Sequence, residues 1–146
     1  MINPISIAGS GMSVAQKWMD ATANNIANIN DVGPTAGPGF TGTTVISAPI
    51  TTGVNGSGQG VTAISSTSSA PGVVAYDPSS PVADASGNVR LPAIDLAAQM
   101  GDLILARASI QADAAVISRA DEAYRSVMDM GRDTGAGSQP GSPSRW

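Results

Sequence analysis

Apolar residues near the start of the chain recur at alternating steps of three and four. Ile5, Ala8, Met12, Ala15, Met19, Thr22, Ile26 and Ile29 hold that spacing. It is the spacing of a coiled-coil seam, because it keeps one stripe of a helix against a partner. The pattern predicts a helix from Pro4 to about Asn30. Asn3 is a candidate cap, and Pro4 suits the first helical position, where its missing N–H costs nothing. Gly9 and Gly11 weaken the first turns by about 1 kcal/mol each relative to Ala. Asp31, Gly33 and Pro34 end the pattern.

A second stripe runs through Leu96, Met100, Leu103, Ala106, Ile110, Ala114, Ile117, Tyr124 and Met128, interrupted by Asp121. It predicts a helix that begins after Pro92, with Asp95 as cap and Gly131 as C-cap. At 1.5 Å per residue the second helix would reach roughly 50 Å and the first roughly 40 Å. Val14, Trp18, Leu105 and Val127 lie off these stripes. The apolar surface is therefore wider than one partner helix needs, which predicts contacts with other subunits.

The middle of the chain has a different texture. Residues 33–42 read as loop, and four short β-prone segments follow: 43–47, 61–65, 73–76 and 89–91. Asn55-Gly56 is a hairpin signal between the first two. Residues 65–70 are low in complexity and expected to be exposed. Asp77-Pro78, Ser80-Pro81 and residues 84–88 mark turns, the last with side-chain bonding from Asp84. The expected fold is mainly α, an antiparallel, coiled-coil-like pair of long N- and C-terminal helices with a small irregular β-rich insertion. It divides into an N-terminal helix (1–32), a loop and β-rich middle (33–92), a C-terminal helix (93–131) and a tail (132–146). The tail is rich in Gly, Ser and Pro and is expected to be disordered.

Composition sharpens this picture. Hydrophobic residues make up 42% of the chain, but aromatics only 3%, with a single Phe. Large side chains supply most of the burial energy of a core, at roughly 1.5–3 kcal/mol each. Seventeen Gly and ten Pro work against regular elements. An isolated monomer should be marginal, with burial completed by neighbouring subunits. The net charge is -4 with no basic cluster, so no nucleic-acid partner is expected. No run of 18 apolar residues would span a membrane, and no direct membrane insertion is expected. The first Lys is Lys17, so the N-terminus lacks the basic region of a cleaved signal peptide. If the chain leaves the cytoplasm, another route must carry it.

Candidate chemistry is thin. There is no Cys and no His, which excludes thiol catalysis, disulfides, a His-based triad and Cys or His metal ligands. Glu122 is the only glutamate, and beside Asp121 on a helix it points a different way. Ser13 and Lys17 are one helical turn apart, but nothing supplies the buried cleft that a Ser–Lys dyad needs. Gly56 to Gly60 invites a phosphate-loop reading, yet no Lys-Ser or Lys-Thr pair follows. Asp84, Ser86 and Asn88 resemble alternating calcium ligands without the downstream bidentate Glu. No enzyme activity, metal or cofactor is expected.

A cluster of asparagines is more informative. Asn24, Asn25, Asn28 and Asn30 crowd the end of the first helix, where Asn is a poor interior residue. They read either as fraying before the loop or as amides that bond a neighbouring chain or the returning backbone. Asn24, Asn25 and Asn28 are thus candidate polar contacts between subunits. The candidate assembly seam comprises Ile5, Met12, Met19, Ile26 and Ile29 on the first helix. On the second it comprises Met100, Leu103, Ile110, Ile117 and Tyr124.

Ser10-Gly11-Met12-Ser13-Val14-Ala15-Gln16, followed by Ala23-Asn24-Asn25-Ile26-Ala27-Asn28, resembles the N-terminal signature of bacterial flagellar axial proteins, the rod and hook subunits. Tyr76-Asp77-Pro78, then Pro81-Val82-Ala83-Asp84, Gly87, Val89 and Pro92, resembles the proximal rod members. Gln99-Met100, Leu103, Ala106-Arg107 and Gln111-Ala112 resemble the same family, so the likeness covers about residues 3–131. It implies export through the flagellar type III apparatus without a cleaved signal. It also implies polymerisation in the periplasm into a helical rod, with terminal helices forming the inner tube. Partners would be copies of the chain and other rod subunits, with membrane-ring and export-gate proteins as further candidates. The chain departs from the family at Ile110, where Tyr is usual, at Gly39-Phe40-Thr41-Gly42, which lacks the usual base, and in its extra tail. The expected function is a structural rod subunit assembled through its terminal helices. The alternative is an exported helical adaptor or export substrate that binds another helical protein without polymerising.

Overall fold

The computed structural model describes residues 4–37, 39–51 and 59–135, with side chains as far as 132. Helix α1 spans Pro4–Ala27 and helix α2 spans Leu96–Gly135. Between them lie strands β1 (Thr43–Pro49), β2 (Val61–Thr67), β3 (Val73–Tyr76) and β4 (Asn88–Leu91). Two long helices around a small strand insertion is the architecture the periodicity predicts.

Helix α1 begins at Pro4; the expected cap Asn3 lies outside the described residues. It ends at Ala27, and residues 28–30 form a turn rather than a last helical turn. Asn28 explains the early stop. Its Nδ2 donates to the Asn24 carbonyl at 2.8 Å and to Asn24 Oδ1 at 3.0 Å. Such local side-chain bonds compete with the helical ladder.

Helix α2 starts where Asp95 caps it. The Asp95 carboxylate accepts the backbone N–H of Ala97 at 2.9 Å and of Ala98 at 3.4 Å. Its end differs from expectation. The helix runs through Gly131 to Gly135, so the segment from Arg132 is helical before any tail begins. A C-capping glycine needs the left-handed conformation. Among the described glycines only Gly60 and Gly87 have positive φ, so Gly131 continues the helix. The expected disorder of residues 136–146 lies outside the described residues.

Strands β1 and β2 form one antiparallel pair with Ile46 opposite Ile64, and β3 and β4 form another with Val74 opposite Arg90. Both strands of the first pair run two residues beyond their predicted ends. Residues 65–67 are exposed, as expected, but belong to β2. Ile50 and Gly60 carry the ladder on, with the Ile50 N–H on the Gly60 carbonyl at 2.9 Å. The expected Asn55-Gly56 turn lies outside the described residues. The β3–β4 connection is built on Asp84. Its Oδ1 accepts the N–H of Ser86 and of Asn88, each at 2.9 Å. Gly33 ties the loop after α1 to β4, exchanging two backbone bonds with Arg90 at 2.9 and 2.8 Å.

The two helices lie side by side, and the β1–β2 hairpin packs on α1. The buried apolar residues are Ala8, Ala15, Val45, Val89 and Ala106, and Val89 is the largest side chain fully enclosed. A core of alanines and valines buries little apolar area per residue, so the isolated fold rests on close helix approach rather than on bulk.

Candidate assembly interface

Two observations fix the helix register. Asn25 Nδ2 donates to Gln99 Oε1 at 2.8 Å. A Cβ added at Gly11 would lie 2.5 Å from Asp113 Oδ2. Moving back along α1 from Asn25 to Gly11 thus moves forward along α2 from Gln99 to Asp113 by the same number of residues. The helices are antiparallel, and Trp18 falls level with Ala106, which is 0% exposed.

On α1 the three–four alternation picks out buried and half-buried positions. Ala8, Ala15 and Thr22 are buried, and Ile5, Met12, Met19, Ile26 and Ile29 are half-buried. A second line, Gly11, Trp18 and Asn25, repeats every seven residues and faces α2 as well. Asn25 is only 4% exposed. Besides Gln99 it serves β1, since Nδ2 donates to the Thr43 carbonyl and Oδ1 accepts the Thr43 N–H, both at 2.8 Å. Its amide is spent on the returning backbone, which corrects its reading as a contact between subunits. Asn24 is exposed and Asn28 half-buried, and they bond each other, both still reachable from outside.

On α2 the side against α1 differs from the predicted stripe. Gln99, Leu103, Ala106, Ile110, Asp113, Ile117 and Ala120 are buried or half-buried. Leu103, Ile110 and Ile117 were expected there. Leu96, Met100 and Ala114 are exposed instead. Following apolar identity alone drifted off the seven-residue repeat, which runs through the polar Gln99 and Asp113. Tyr124 keeps the repeat of Leu103, Ile110 and Ile117 yet is 53% exposed. The register explains why. It sets Pro4, the first residue of α1, opposite Ala120, and every described residue from Asp121 to Arg132 is exposed. This overhang leaves Tyr124, Val127 and Met128 more than half exposed. Surface ion pairs Asp121–Arg125 at 2.8 Å and Asp129–Arg132 at 3.9 Å lend it modest helical support.

Ser10 pins the hairpin to α1. Its hydroxyl donates to the Ile7 carbonyl at 2.6 Å and accepts the Val61 N–H at 3.0 Å. Gly60, at φ 110°, has no room for a Cβ beside that hydroxyl. Between α1, the hairpin and α2 lies a cleft of about 270 Å³, walled by Val14, Trp18, Val45 and Val61, with Asp113 and Ser109 on the α2 side.

Ser13 and Lys17 are both exposed on α1. Asp121 pairs with Arg125. Asp84 has its second oxygen on the Thr35 hydroxyl at 2.9 Å, so its carboxylate is engaged throughout by protein donors. Those bonds, the Asn88 N–H foremost, hold the Asp84 carboxyl below the ordinary 3.8. Among the described residues no three carboxylates gather to hold a metal, and no helix is long and apolar enough to cross a membrane.

Sequence reasoning missed Ser10, Gly11, Trp18, Gln99 and Asp113 as parts of the interlock. The recoverable signal was the seven-residue repeat of Gly11, Trp18 and Asn25, which is not apolar throughout.

Comparison with known proteins fits this geometry. Residues 5–35, which hold α1 and its turn, match the family model described as flagella basal body rod protein. The chain is 29% identical over 133 residues to the flagellar basal-body rod protein FlgC of Salmonella typhimurium, covering 90% of this chain and 98% of that one. It is 28% identical to the FlgC protein of Escherichia coli O6:H1 over the same shares. The Borreliella burgdorferi FlgC protein is 28% identical over 145 residues, covering 88% and 95%.

Proposed function

We propose that this chain is a structural member of the flagellar basal-body rod proteins, not an enzyme, and that it polymerises through its terminal helices in the proximal rod. The observation that carries this reading is the overhang of α2. The line Leu103, Ile110, Ile117 continues to Tyr124, and Val127 and Met128 flank it, but α1 has ended. Helices bury such a line against something, and no described residue of this chain supplies it. Adjacent rod subunits supply it.

In this reading Ile5, Met12, Met19, Ile26 and Ile29 hold α1 on α2, and Leu103, Ile110 and Ile117 answer them. Tyr124, with Met100 at the other end of α2, meets neighbouring subunits. Asn24 and Asn28 add polar contacts at the end of α1. A head-to-tail contact of this kind does not close on itself and generates a helical array, stable where the monomer is marginal. The rod stands in the periplasm, and the chain reaches it through the flagellar export apparatus without cleavage of a signal. Its neighbours are copies of itself and other rod subunits, with contacts to membrane-ring and export-gate proteins at the ends of the array.

Quantitative mass spectrometry of detergent-purified basal bodies, stripped of the filament, tests this. A few stoichiometric copies retained per basal body is the expected result. A chain absent from basal bodies and recovered in a defined soluble complex would instead make it an exported adaptor.

A further inference from the structure

We propose that the cleft between α1, the β1–β2 hairpin and α2 is the socket for Arg119 of a second copy of this chain. The inference rests on the rod reading above and adds a specific contact to it.

The cleft has the chemistry of an arginine site. Its volume, about 270 Å³, falls below the roughly 300–1,000 Å³ of pockets for drug-sized ligands and fits one long side chain. Val14, Val45 and Val61 offer apolar wall to an alkyl stem, and Trp18 also lines the cleft, an indole being the best aromatic partner for a guanidinium. At its α2 edge stands the Asp113 carboxylate, half-buried. Among the described residues no base pairs with it, since the two ion pairs join Arg125 to Asp121 and Arg132 to Asp129. An arginine reads such a site better than a lysine, because its planar, weakly hydrated head both stacks and pairs with a carboxylate.

Gly11 is independent testimony that the carboxylate position matters. A glycine inside a helix costs about 1 kcal/mol relative to alanine. At this position a Cβ would strike Asp113 Oδ2 and push the carboxylate out of place.

The complementary group is an arginine on α2. Arg119 is exposed and has no ion pair among the described residues. Two residues past Ile117, it lies on the side of α2 turned away from α1. Val116, one helical turn before it on the same side, is an exposed apolar residue. An exposed valine beside an unpaired arginine on one copy thus matches an apolar cleft with an unpaired carboxylate on the next. Because socket and plug lie on different faces, the contact is heterologous and leaves each copy a free end, as a helical array requires.

A charge swap tests the pairing in the full chain, with basal-body copy number as readout. Asp113→Arg alone and Arg119→Asp alone should each cut the retained copies at least tenfold. The double variant, Asp113→Arg with Arg119→Asp, should recover to within about threefold of wild type. Single variants retained as wild type, or a double variant no better than the singles, would overturn the proposal. The unfolding midpoint of each purified variant separates lost docking from lost folding. Should Asp113→Arg fail to fold, the cysteine-free chain permits a second measurement. Ser109→Cys with Val116→Cys, two positions too far apart on one helix to bridge within a chain, should give disulfide-linked dimers in oxidised basal bodies. Only monomers there would equally overturn it. If the wild-type chain is missing from basal bodies, the rod reading itself has failed, which is a distinct result.

Discussion

Ile117 and Tyr124 stand seven residues apart on the same line of α2, yet only the first has α1 beside it. Up to Ala120 the helix is interlocked. Asn25 bonds Gln99 and β1 at one end, Gly11 admits Asp113 further along, and alanines let the two backbones approach. From Asp121 to Arg132 every residue of the helix is exposed, and this stretch carries the same kind of apolar residues and two surface ion pairs. A stripe in sequence says that a helix expects cover. It does not say whether the cover comes from the same chain. That difference follows from length, 24 residues in α1 against 40 in α2.

The contrast can be broken most forcefully at Asn25. Asn25→Ala strips the partners from buried groups of Thr43 and from Gln99. The isolated chain should lose about 3 kcal/mol, read from urea unfolding, a large share of an ordinary domain's stability. A loss under 1 kcal/mol would mean that the interlock contributes little.

Next in size are three matched substitutions. Ile117→Asp should destabilise the isolated chain by about 2 kcal/mol, because it puts a charge into the half-buried seam. Ile26→Asp should do the same from the other helix. Tyr124→Asp should change it by no more than about 0.5 kcal/mol, as at other exposed positions. In cells all three should reduce copies per basal body. If Tyr124→Asp assembles normally, the overhang has no cover in the rod.

Ser10→Ala should cost about 1 kcal/mol by freeing the Val61 N–H from α1. Hydrogen exchange should rise at Val61 first, because the bond lost is its own.

The smallest effect is at the β3–β4 turn. The folded Asp84 carboxyl titrates below 3.8 because backbone and hydroxyl donors favour its charged form. Its contribution is therefore present above that value and lost as pH falls through the lower folded one. The Ser86 and Asn88 amide resonances should shift together with a midpoint under 3.8. A midpoint at or above it would show that these bonds do not favour the charged form.

Much of this was legible in the residues. The α1 seam, the Asp95 cap, the Asp84 turn and the strand pattern follow from spacing and from local side-chain chemistry. The α2 stripe was only half legible. Its repeat passes through Gln99 and Asp113, so a search for apolar residues slid onto Met100 and Ala114. The Asn cluster pointed to a real constraint. Whether Asn25 turns inward or outward depends on where β1 returns, which no local pattern encodes. Gly131 looked like a stop because glycine is permissive. It is passed through because the helix continues in regular conformation on both sides of it.

Amide hydrogen exchange across residues 121–132, compared between the free chain and purified basal bodies, tests most directly whether neighbours cover the overhang. Burial in the rod requires fast exchange in the free chain and strong protection in the basal body, with residues 99–117 protected in both. Equally fast exchange at 121–132 in both states would contradict it.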